Sequence, residues 1–193
     1  MKTFRLVLLM LLCIAGGAVA GYRVALHHDL NRLQRNKTLV RRSHEKVWSE
    51  RNIEAATNVA REIYSNDVIV HDWTGDSTGG LAELAKGVAD NRTNFPDWTE
   101  KVETMVAEGD FVAARFLSTG TQERDLPAVP RFMPVIPNRH RFLRMPEIEI
   151  FRISNGKLAE QWDISDGWDA NVQMGFFDPD HWPDSVCGPS RKP

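Results

Sequence analysis

Residues 147–166 read EIEIFRISNGKLAEQWDISD, and this stretch restricts the fold more tightly than any other. Asn-Gly at 155–156 is a strong short-range hairpin signal, and the arms on either side alternate apolar and polar residues rich in Ile, Phe and Trp. Such a hairpin can close in two ways. A two-residue type I′ turn pairs Ser154 with Lys157 and sets Glu149 against Trp162, which mixes acids with large apolar side chains on both faces. A three-residue loop, with Gly156 in a left-handed bulge position, moves the register by one. Glu147, Glu149, Gln161 and Asp163 then share a face with Phe151, while Ile148, Ile150, Leu158, Trp162 and Ile164 share the other. A one-residue slip exchanges the faces of one arm, so the segregated, bulged register is the one expected. Alternating charges on an antiparallel sheet ordinarily face water. The other reading is that the acidic face looks into a cavity.

The rest of the chain supplies partners for that hairpin. Residues 38–50 and 52–64 carry Val40, Val47, Ala56, Ala60 and Ile63 at helical spacing, a pair of helices joined near Arg51-Asn52. DVIVHDW (67–73) reads as a strand, GDSTGG as a turn, and LAELAKGVADNRTNF as a helix. WTEKVETMVAE and FVAARFLSTG read as two strands about Gly109-Asp110. The stretch LPAVPRFMPVIP (126–137) cannot be regular sheet, because each Pro lacks a ladder donor. After the hairpin, a short helix is expected from Trp168 towards Met174, with Asp166 as its N-cap. Helices first and a strand meander afterwards predict an α+β domain, with helices on one face of a curved antiparallel sheet.

The ends of the chain fall outside that domain. MKTFRLVLLMLLCIAGGAVA has a basic start, an apolar run and a closing Ala-Val-Ala. That is the pattern of a cleaved secretory signal peptide over residues 1–20, and the run is short for a bilayer span of about 20 residues. The expected localisation is secreted or periplasmic, the alternative being a membrane anchor through an uncleaved signal. Residues 21–37 read as a basic linker, 38–175 as the domain, and 176–193 as a turn-rich tail. Of the two cysteines, Cys13 and Cys187, only Cys187 would survive cleavage, so no intramolecular disulfide is expected and burial must hold the fold. A formal net charge of −2 gives no reason to expect nucleic acid as a partner. No P-loop, HExxH, paired CxxC or dinucleotide fingerprint is present in the sequence.

Three segments, FPDWTEKVETMVAEGDFVAARFLSTGT (95–121), the hairpin 147–166 and DVIVHDW, resemble the SnoaL-like polyketide cyclases and ester cyclases of the NTF2-like superfamily. The likeness runs over roughly residues 38–175. It implies a cone: a bent sheet wrapped by N-terminal helices around an apolar cavity. It also implies a carboxylate on the last long strand acting as general acid and base, which matches Asp163, and a second polar residue on the preceding strand, which matches Glu149. Glu147, Phe151 and Gln161 share that face and are expected to meet substrate. His71 is open to two readings, a hydrogen-bond partner in the cavity or a structural histidine. The Pro-rich segment stands where typical members have a shorter loop, at the cavity mouth. The implied chemistry is proton transfer next to a carbonyl of a small hydrophobic molecule, which needs neither cofactor nor metal.

Two competitors belong to other classes. The same cone can hold a ligand without transforming it, and export favours such a binding domain, since polyketide assembly is expected inside the cell. Gly75-Asp76-Ser77-Thr78-Gly79 matches the G-x-S-x-G nucleophile elbow, with Asp163 and His181 in the Ser-Asp-His order of a serine hydrolase, but a strand meander follows where strands alternating with helices are needed. Finally, Ile148, Ile150, Trp162 and Ile164 would form an apolar patch on the outer side of the sheet. A homodimer is expected to cover it; the alternative cover is the tail with Phe176, Phe177 and Trp182.

Overall fold

A computed structural model describes residues 2–72, 75–77, 79–128 and 134–175, with residues 2–20 and 76 in backbone alone. Cys13 is thus described in backbone only, and Phe176, Phe177, His181, Trp182 and Cys187 lie outside the described residues. The chain opens with helix α1 (Lys2–Ser43), which passes into a single π turn, His44–Trp48. Helix α2 (Ile53–Ile63) follows, then strands β1 (Tyr64–Asp72) and β2 (Gly75–Ser77) and helix α3 (Gly80–Asn94). Strands β3 (Thr99–Glu108), β4 (Phe111–Thr121), β5 (Phe142–Ser154) and β6 (Lys157–Ser165) then form a meander closed by helix α4 (Gly167–Gln173). The six strands make one unclosed sheet in the order β2-β1-β6-β5-β4-β3, antiparallel throughout except where β1 runs parallel to β6. The result is the expected α+β cone, a curved sheet with helices packed on its concave side.

Local sequence explains each helix. In α2 the Asn52 side chain caps the first turn by accepting from the Ala55 amide at 3.0 Å. Ala56, Ala60 and Ile63, spaced along one face, are buried. Residues 21–37, read above as a linker, are helical throughout. Residues 21–31 of α1 are exposed, and from Arg32 onwards the helix meets the domain, where Arg32 pairs with Asp110 at 3.3 Å. In α3 the face bearing Leu84 and Val88 also buries Arg92. That guanidinium donates to the carbonyls of Trp48 (2.8 Å), Glu50 (2.9 Å), Pro96 (3.1 Å) and Trp98 (3.1 Å). It thereby ties the π turn to the start of β3. Gly120 on β4 completes this corner: a Cβ there would lie 2.9 Å from the Trp98 ring, so only glycine lets the indole rest on the strand.

The hairpin departs from expectation in one detail that matters. Asn155 and Gly156 both have positive φ (51° and 73°), and Ser154 pairs with Lys157, so the loop is a two-residue turn and not the three-residue loop expected. The extra residue enters further along. Ile153 pairs with Leu158 but Arg152 with Glu160, leaving Ala159 as a bulge. Beyond it Glu149 faces Asp163 and Phe151 faces Gln161, the segregated arrangement. Leu158, before the bulge, is corrected to the inner face, where it is fully buried beside Ile153 and Phe151.

Two apolar clusters sit within the cone. The larger joins Val40, Val47, Ile63, Tyr64, Leu84, Phe151 and Leu158 at the closed end. The smaller, with Phe95, Trp98, Ile136, Leu143, Ala170 and Met174, lies towards α4. The Pro-rich segment takes part in it: Leu126 bridges Ile136, and Ile136 is fully buried. Asp166 caps α4 as expected, accepting from the Asp169 amide at 3.0 Å.

Candidate active site

Between the two clusters lies a cavity of about 910 Å³. Trp48, Phe95, Trp98, Leu126, Leu143 and Met145 give its lining an apolar part. The acidic part comes from the sheet: Asp72 from β1, Glu100 from β3, Glu147 and Glu149 from β5, and Asp163 from β6, with Gln161 among them. The parity of β5 and β6 explains the acids, because Glu147, Glu149 and Asp163 are on the same inward side as buried Phe151.

Two buried hydrogen-bonded groups that approach each other at His44 and Glu149 support this wall. Trp98 Nε1 donates to Glu100 Oε1 at 3.0 Å, and Glu100 Oε2 lies 2.7 Å from Nδ1 of the fully buried His44. His44 Nε2 is 3.6 Å from Glu149 Oε2, and Glu149 Oε1 accepts from Gln161 Nε2 at 3.0 Å. Tyr64 donates to Gln161 Oε1 at 3.4 Å and lies 2.5 Å from the Ser43 hydroxyl. Phe116 (4.2 Å) and Phe151 (5.9 Å) pack against the His44 ring. These contacts fix the rotamers of Glu100 and Glu149.

The electrostatics follow from burial among like charges. Burial, then the charges of Glu100 and Asp163, push the Glu147 carboxyl up to about 9. Glu149 is also pushed well above the usual carboxylate range, first by burial and then by Asp163, Glu100 and Glu147. Asp163 rises to about 6, through burial and then the charges of Glu100 and Asp72, with His44 opposing. Asp163 therefore gives up its proton well before Glu147 does, and Glu149 is biased towards its protonated form. That splitting of neighbouring carboxyls separates a base from a hydrogen-bond donor. Glu147 Oε1, Glu149 Oε2 and Asp163 Oδ1 have no hydrogen-bond partner within the protein. Among the described residues no three His, Cys, Asp or Glu side chains are grouped to hold a metal ion.

The structure thus brings Asp163, Glu149, Glu147 and Gln161 to one wall. It places two other expected residues elsewhere. His71 is on the outer face of β1, stacked 5.1 Å from Trp162 and 2.9 Å from Glu160, because Val70 and Asp72 hold the inward positions. Phe151 is fully buried beneath the wall, in the closed-end cluster, and does not line the cavity. Ser77 is on the edge strand β2, away from the cavity lining, and its hydroxyl donates to Glu83. That hydrogen bond holds the Glu83 carboxyl below its usual value.

His44 and Glu100 were missed in the sequence. His44 sits between Val40 and Val47 on the buried stripe of the first helical segment, and a polar residue in an apolar stripe was the available signal. Glu100 was hidden by a bulge at Glu103, which breaks the alternation of β3.

A model of the SnoaL-like polyketide cyclase family matches residues 38–174, the whole of the cone and its acidic wall. The chain belongs to that family. A proposed SnoaL-like polyketide cyclase from Jannaschia sp. CCS1 superposes with a TM-score of 0.65 at 18% identity, covering 75% of this chain and 94% of its own. IdmH, a proposed polyketide cyclase from Streptomyces antibioticus, gives 0.57 at 23% identity, covering 72% and 98%. A protein of ketosteroid isomerase-like fold from Catenulispora acidiphila gives 0.55 at 15%, covering 75% and 97%. At these identities the structural likenesses carry the NTF2-like fold alone. No curated protein matches the chain in sequence.

Proposed function

We propose that this family member is a cofactor-independent cyclase or isomerase that moves a proton next to a carbonyl of a small hydrophobic substrate. The observation that carries the reading is the cross-strand pair Glu149–Asp163, two carboxyls on one cavity wall with unequal proton affinities. Ionised Asp163 removes a proton from the carbon beside the carbonyl, and neutral Glu149 donates a hydrogen bond to the carbonyl oxygen as negative charge collects there. In a cyclisation the carbanion attacks a second carbonyl of the same molecule, and the proton held by Asp163 passes to the new alkoxide. In an isomerisation it returns to a different carbon. Asp163 ends as it began in both cases. The apolar wall around Trp48, Phe95 and Trp98 excludes water and keeps both carboxyls in the required range.

Asp163→Asn tests this, since the amide keeps the shape and cannot shuttle a proton. Turnover of any carbonyl substrate found by screening should fall by about 10²–10⁴-fold with binding retained. Unchanged turnover removes Asp163 from the role. Binding without turnover in the wild type as well as the variant would instead identify a ligand-binding domain.

A further inference from the structure

We infer that the cavity takes a substrate carrying a protonated amine, a hydrophobic amine whose ammonium group is seated on Glu147. This rests on the reading of the cavity as a substrate site, and it concerns an inward acid to which the proton-transfer chemistry gives no task.

The first observation is the sign of the wall. Five acids line the cavity and, among the described residues, no Lys, Arg or His side chain does. The His44 ring lies behind the wall, between Glu100 and Glu149. An anionic group entering here meets only like charge, whereas an ammonium meets opposite charge from three strands. The second observation is Glu147 itself. It is only 8% exposed and lines the cavity; the Ser118 hydroxyl opposes the rise in its proton affinity, and its Oε1 makes no hydrogen bond within the protein. A buried carboxyl oxygen left without a partner is costly unless a ligand supplies the donor.

The complementary group must therefore bring donors. Glu149 Oε2, 3.6 Å from His44 Nε2, and Asp163 Oδ1 also make no hydrogen bond within the protein, so an ammonium seated on a deprotonated Glu147 has further carboxyl oxygens in the same lining. An ammonium offers up to three N–H bonds and the charge to strengthen them, which a hydroxyl does not. Trp48 and Trp98 are part of the lining, and an indole beside a desolvated cation favours it over a neutral group. The apolar remainder of the cavity fits a hydrocarbon or aromatic body.

The groups facing Glu147 set the pH behaviour. They are Glu149 on its own strand, Glu100 from β3, Asp163 from β6, Asp72 from β1, and His44 from the π turn behind them. In the empty cavity Glu147 keeps its proton to about pH 9. Seating an ammonium requires that proton to leave, so affinity should climb with pH above 7, after Asp163 has ionised.

Calorimetry on the full chain with three probes of common shape tests the inference: 3-phenylpropylamine, 3-phenylpropanol and 4-phenylbutanoate. The amine should bind about tenfold or more tighter than the alcohol, as a charge-assisted hydrogen bond predicts, and the carboxylate should bind most weakly. Between pH 7 and 8 the amine's affinity should rise and the alcohol's should not. Glu147→Gln should abolish the amine's advantage over the alcohol. Alcohol binding as tight as the amine, no detectable amine binding, or an advantage that survives Glu147→Gln would each overturn the proposal. The wild-type probe ranking stands even if the variant fails to fold. The proton-transfer reading is judged separately by Asp163→Asn turnover, so either can fail with the other intact.

Discussion

At the residue scale, the buried acids make an unusual contribution to stability. A carboxyl whose folded-state pKa is raised binds its proton more tightly in the folded chain than in the unfolded one. For Glu147 the interval runs from the ordinary 4.5 to about 9. Its contribution is fully present below pH 4.5 and is lost as pH rises towards 9, because deprotonation then favours the unfolded chain. Glu149 acts in the same direction. Thermal melting of the empty protein should therefore fall between pH 5 and pH 9, against the usual acid-side loss from paired carboxylates. Each fully buried acid contributes a slope of at most about 1.4 kcal/mol per pH unit. Glu147→Gln should flatten that slope, and an unchanged profile would mean that Glu147 is ionised in the folded state. Much of this wall was legible in the sequence. Asp163, Glu149, Glu147 and Gln161 declare themselves by alternation within one hairpin. His44 and Glu100 were harder to find, because what joins them to each other and to Glu149 is contact between distant elements.

At the element scale, the hairpin shows what a dipeptide can and cannot say. Asn155-Gly156 announced the turn, and the need to segregate faces announced a bulge, but nothing in the sequence required the two to coincide. The fold separates them, keeping the tight turn at 155–156 and placing the extra residue at Ala159. Leu158 decides the matter: this placement lets it pack against the core with Ile153 while Gln161 and Asp163 still face inward. The positive φ of Gly156 should then cost a side chain dearly even in open space. A Cβ there meets nothing within 4 Å, so the penalty is purely conformational. Gly156→Ala should lower stability in a urea titration by about 1–2 kcal/mol, with the cavity's ligand affinity unchanged. A loss below a few tenths of a kcal/mol would show that the turn relaxes to another type. His71 gives the opposite lesson. Its place on β1 was read correctly and its face was left open, because a short strand such as DVIVHDW offers no alternation strong enough to fix which side is inward.

At the scale of the whole molecule, the outer face of the sheet remains to be accounted for. The helices pack on the concave side, and the convex side carries Phe111, Phe142, Ile148, Ile150 and Ile164, all exposed, with Trp162 among them. Ile164 is 75% exposed and Phe142 60%. Soluble monomers seldom leave a contiguous apolar patch of more than a few hundred Å² uncovered. Two ion pairs lie within this face, Arg152 with Glu160 at 2.7 Å and Arg115 with Glu103, so covering it would not strand those four charges. We propose that a second copy of the same sheet covers it through a two-fold interface, which needs only one self-complementary patch. The stack of His71 on Trp162 then has a use that the cavity reading did not give it, holding the indole flat beside Phe111. Sedimentation should show a dimer at micromolar concentration, and Trp162→Glu should convert it to monomer while thermal melting stays cooperative, since a half-buried position on this face tolerates a charge once it faces water. A wild type that remains monomeric at high concentration sinks the dimer and leaves the C-terminal tail as the cover. A dimer that survives Trp162→Glu moves the interface to another face of the cone.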